Sequence, residues 1–128
     1  MKRSLFLLII AILNGALALF IIIATAKAAE TFGITDNGPQ TFTLFRGMGT
    51  LILSLAVLNF LVRNESDSTA FRAVLIANLI GAGLGVVFGV IDLMNGVTEV
   101  AKVAPGLTVP LLTTVASLYY LMKMKKAA

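Results

Sequence analysis

Residues 4–26 read SLFLLIIAILNGALALFIIIATA, a run with no charged residue and only three polar side chains. About 20 mostly apolar residues in helical form cross the hydrocarbon core of a bilayer, so this run predicts a membrane-spanning helix. It also has the look of a secretory signal, because Lys2-Arg3 precede it and Ala26-Lys27-Ala28 close it. The apolar stretch exceeds the 7–15 residues of a signal core, and retention as a first spanning helix is expected.

Three further stretches repeat the pattern. They run from about Thr43 to Val62, Ala70 to Leu93 and Val103 to Met122. Between them lie short connections: residues 27–42 with the turn-forming GITDNGP, residues 63–69 (RNESDST) and residues 94–102 (MNGVTEVAK). Short links between successive spans make neighbours antiparallel. The expected fold is therefore all-α, a four-helix transmembrane bundle in up-down-up-down order, with residues 1–128 as a single domain. In the fourth helix Pro105 is expected in the first turn, where proline is tolerated, and Pro110 deeper, where it frees a carbonyl and bends the chain.

Composition points the same way. The 128 residues are 59% hydrophobic and 12% charged, against about 45–50% and about 25% in soluble domains. Cys, His and Trp are absent, which removes cysteine nucleophiles, disulfides, and thiolate or imidazole metal sites. The net charge of +4 does not imply nucleic acid, because the cations sit at helix ends. One side of the expected membrane carries Lys2, Arg3, Arg63, Arg72, Lys123, Lys125 and Lys126; the other carries Lys27, Arg46 and Lys102 with Glu30, Asp36, Asp92 and Glu99. Seven basic residues against three place both termini and the middle loop in the cytoplasm.

Three constellations are candidates for function. Ala73, Ala77, Gly81, Gly85 and Gly89 recur at every fourth position of the third helix and form one stripe without bulk. Such a stripe permits close backbone approach, inside the chain's own bundle or against a partner, and the former is the expected use. Gly83 adds a break to the same segment. Arg46 and Asp92 each lie about one turn inside the outer end of a helix and are expected to pair, as a structural ion pair or a ligand contact. Asn14, Asn59 and Asn78 carry amides to lipid depth, where hydrogen bonds between helices are expected before ligand contact. Thr113, Thr114 and Ser117 are expected to bond back to their own helix. Tyr119 and Tyr120 before the basic tail read as an interfacial anchor.

The stretch FGITDNGPQTFTLFRGMGTLILSLAVLNFLVRN, residues 32–64, resembles the small four-helix bacterial membrane proteins grouped as DoxX-like. The shared features are a loop with Gly-Ile, a second helix opening with Arg46 and Gly49, and a glycine-rich third helix ending near Asp92 and Gly96. The resemblance implies a bacterial inner membrane as the location and importance for Arg46 and Asp92, and some relatives are similar to quinone-dependent oxidoreductase subunits.

No nucleophile–base pair, phosphate loop or metal-ligand spacing occurs, and GAGLG lacks the preceding strand of a nucleotide site. The function expected is a non-enzymatic accessory or scaffolding subunit of a larger membrane complex, without a cofactor. The alternative is a binding protein or carrier for a lipid, quinone or other hydrophobic molecule. A small dimeric transporter would need a charge in mid-membrane, and none is evident.

Overall fold

Where apolar residues run without turn formers the chain is helical, and where glycine, proline and polar residues cluster it turns. A computed structural model describes residues 2–35, 38–96 and 100–124, with side chains in the last segment from residue 106 onward. The described residues form five helices and no strand: α1 Arg3–Ile23, α2 Thr25–Thr31, α3 Pro39–Val62, α4 Thr69–Met94 and α5 Val100–Lys123. The all-α expectation holds. α1, α3 and α4 are long and apolar enough to cross a membrane. Their 21, 24 and 26 residues correspond to about 32, 36 and 39 Å.

The boundaries differ from expectation by three residues or more in three places. The first apolar run does not continue to Ala26. Ala24 leaves the helical region (φ −113°, ψ 48°), and α2 follows as a separate helix that takes the last two residues of the expected first span and runs into the expected connection. Alanines, Lys27 and Glu30 supply its helix propensity, and Lys27 and Glu30 pair at 2.9 Å one turn apart. Gly33, at φ +74°, then ends it. α3 starts at Pro39, four residues earlier than expected, because proline with its fixed φ suits the first helical turn. α4 is capped by Ser68, whose hydroxyl accepts from the Phe71 amide at 3.2 Å. α5 begins at Val100, so Pro105 falls in its second turn.

α1 packs along α3, and α4 along α5. Looser seams, α3 with α4 and α1 with α5, join these two pairs. At one end of the molecule Phe6, Leu7 and Ile10 of α1 meet Phe71 and Leu75 of α4 in a buried cluster, with Tyr120 and Leu121 of α5 against it. At the other end Ile21, Ala28, Ala29 and Phe45 join α1, α2 and α3. In the hydrophobic windows of α1, α3 and α4 only 33%, 22% and 17% of residues are buried. Most of the apolar surface therefore faces outward, as a lipid solvent permits and water does not.

Candidate functional site

The polar centre of the molecule is an amide pair. Asn59 and Asn78 are 0% and 3% exposed. The Asn59 Nδ2 donates to Asn78 Oδ1 at 3.0 Å and the Asn78 Nδ2 donates to Asn59 Oδ1 at 2.6 Å. The second Asn59 N–H donates to the Leu55 carbonyl at 2.8 Å. This is the interhelical bonding expected for both residues, and it ties α3 to α4 across the looser seam. Asn14 takes no part in it and lies half-buried on α1, beside Gly15, which faces Ala56 of α3.

On α5 the Thr113 and Thr114 hydroxyls donate to the carbonyls of Val109 and Pro110, both at 2.8 Å, as expected. Ser117 departs from the expectation. It is fully buried and its hydroxyl has no hydrogen-bond partner among the described residues.

Arg46 and Asp92 do not form an ion pair. The Arg46 Nε donates instead to the Thr25 hydroxyl at 3.1 Å, and that hydroxyl donates to the Ile22 carbonyl at 3.2 Å. Arg46 thus braces the α1–α2 break. Asp92 is exposed near the end of α4. Equal depth in a bilayer is not proximity. Arg46 lies 13 residues from Asn59, and Asp92 lies 14 from Asn78. Both ends are therefore about 20 Å along their helices from the amide pair, and beyond it α4 follows α5 rather than α3.

The small-residue stripe also lies differently from the expected packing. The buried residues of α4 are Phe71, Val74, Leu75 and Asn78, none of which belongs to the stripe. Ala73, Gly81 and Gly85 are exposed and Ala77 is half-buried. A Cβ built on Gly81 or Gly85 would meet nothing within 4 Å. Only Gly89 is close-packed, against Leu107 of α5, while Gly83, off the stripe, faces Thr114 at 3.7 Å. Close helix approach falls at Gly49 of α3, where a Cβ would lie 2.9 Å from Ile22, 3.0 Å from Ile21 and 3.3 Å from the Ala18 carbonyl. The four-residue spacing was legible on α4, but spacing alone does not say which way a stripe points.

The basic residues gather at the end of the molecule that carries the Phe6–Phe71 cluster. Arg3 pairs with Asp67, donates to the Glu65 carbonyl at 2.8 Å and lies 4.8 Å above the Phe71 ring. The N-terminus, the α3–α4 loop and the end of α5 therefore share one end, as the charge pattern predicts. Phe6 and Tyr120 stack at 5.4 Å there. Lys123, beyond the apolar run closing at Met122, sits 4.7 Å above the Tyr119 ring. A hydrogen bond with the Tyr119 side chain, and then its charge, raises the Lys123 ammonium above its ordinary pKa. Asp36, Glu99, Lys125, Lys126 and the side chain of Lys102, which entered the charge count, lie outside the described residues. Among the described residues no group of three metal-ligating His, Cys, Asp or Glu side chains occurs.

No protein-family model, curated protein or solved structure matches the chain.

Proposed function

We propose that this protein is a non-catalytic accessory or scaffolding subunit of a larger complex in a bacterial inner membrane. In this reading α1, α3, α4 and α5 all cross the bilayer in up-down-up-down order, with both termini and the α3–α4 loop in the cytoplasm. The observation that carries the proposal is the outward stripe of Ala73, Ala77, Gly81 and Gly85. A small-residue face that the chain does not use for its own packing gives a partner helix room for close backbone approach. The resemblance to DoxX-like proteins, some of them similar to subunits of membrane oxidoreductases, supports the same reading.

Native mass spectrometry after gentle extraction tests it, with Gly81→Ile and Gly85→Ile as the probe. The parent chain is expected in a stable larger assembly. The double variant is expected to leave that assembly while keeping the parent's helicity and unfolding midpoint, because both positions open onto free space. A lone monomer or dimer would overturn the proposal, in favour of a carrier if it held a stoichiometric quinone; one bound phospholipid is compatible with either state of assembly. An assembly indifferent to both isoleucines would remove the stripe from it.

A further inference from the structure

At the basic end of the molecule three segments remote in sequence converge. Between them lies a shallow cleft of about 150 Å³, lined by Arg3, Asp67, Phe71, Tyr120, Lys123 and Met124. Its chemistry is two-sided: Arg3 and Lys123 with the Asp67 carboxylate, against the half-buried Tyr120 and Met124, with Phe71 fully buried beneath Arg3. Arg3 is fixed in place by three separate contacts, to Asp67, to the Glu65 carbonyl and to the Phe71 ring. Those bonds engage two of the five N–H donors of a guanidinium. A pre-oriented guanidinium loses little freedom on taking up an anion. Asp67 balances one of the two cations, so the lining keeps one net positive charge, the complement of a single phosphodiester. Tyr120 and Met124 give the lining an apolar side, which suits the glycerol next to a phosphodiester better than a free inorganic ion. Arg3 opens α1 and Lys123 closes α5, which places the cleft at head-group level when those helices cross a bilayer.

We infer that this cleft is a binding site for the phosphate group of an anionic membrane phospholipid, held by Arg3 and Lys123. The site rests on the membrane-spanning reading but is independent of any partner subunit. It differs from the general attraction of a basic end for anionic lipid, because it names two cations and leaves out their neighbours Lys2 and Arg72.

The test uses the purified full chain in bilayer discs containing phosphatidylcholine and phosphatidylglycerol, with retained lipids counted by native mass spectrometry. The parent chain is expected to keep one phosphatidylglycerol in preference to phosphatidylcholine. Arg3→Gln with Lys123→Gln should lower that retention about tenfold, whereas Lys2→Gln with Arg72→Gln, which removes the same charge from the same end, should leave it within about twofold. Lys123→Gln alone preserves the Arg3–Asp67 pair and should still lose several-fold, which separates lost binding from lost folding. Equal losses in the two double variants would reduce the site to diffuse attraction and overturn it. So would release of the lipid by millimolar inorganic phosphate, which would make the cleft a site for the free anion. Failure of the chain to insert into any bilayer would overturn the membrane reading and this site with it.

Discussion

Replacing Asn59 or Asn78 by alanine is the sharpest probe of how the two helix pairs are joined. Two reciprocal hydrogen bonds cross from α3 to α4 at this point, at 3.0 and 2.6 Å. Interhelical hydrogen bonds in membranes average about 0.6 kcal/mol and reach about 1.7, so two of them set a coupling of about 1–2 kcal/mol. Each single substitution also leaves the surviving amide in an apolar seam with its cross-helix partner gone, which adds to its cost. The double substitution removes both amides and leaves nothing stranded. Asn59→Ala and Asn78→Ala are therefore each expected to destabilise, and their combination to cost about 1–2 kcal/mol less than the sum. Equilibrium unfolding in mixed detergent micelles, followed by circular dichroism, measures all corners of the cycle. Additivity within about 0.5 kcal/mol would show that the amides do not act as a pair and would refute the account of the seam.

Two further outcomes follow from the packing. Gly49→Ala should be less stable than Gly47→Ala by at least about 1 kcal/mol in the same unfolding assay. A Cβ at 49 collides with Ile21, Ile22 and the Ala18 carbonyl, while one at 47 meets nothing within 4 Å. Overpacking costs about 1–3 kcal/mol and helix propensity alone would favour alanine at both sites. Arg46→Ala and Asp92→Ala should add within about 0.5 kcal/mol, because Arg46 bonds to Thr25 and not to Asp92; coupling beyond that would restore the ion pair.

The long helices were legible in the sequence because apolar runs of spanning length leave few other forms. The amide pair was legible too, since a buried carboxamide at lipid depth has few ways to satisfy its hydrogen bonds other than across helices. What sequence could not supply was azimuth. The α4 stripe reads identically whether it faces a neighbour or the lipid, and the choice was made by Phe71, Val74, Leu75 and Asn78, which claim the inward face. The Arg46–Asp92 expectation failed for the same reason, being argued from depth alone. α2 was missed because its alanines, Lys27 and Glu30 sit between an apolar run and a turn cluster and carry no periodic signal. The cleft at Arg3 had a partial signal in the aromatic pair before Lys123, but its floor, Phe71, comes from a different helix.

The second hydrogen bond of Asn59 bears on the order in which the molecule is built. During synthesis α3 emerges before α4, so for a time Asn59 is present without Asn78. Its bond to the Leu55 carbonyl, made within its own helix, is already available and satisfies one of the two amide donors in the interval. By then α1 and α3 can close together at Gly49, and this first hairpin stands complete, with a half-satisfied amide on its open side. Asn78 makes no such bond to its own helix. When it arrives, the register of the second hairpin is set by a template that has been waiting for it.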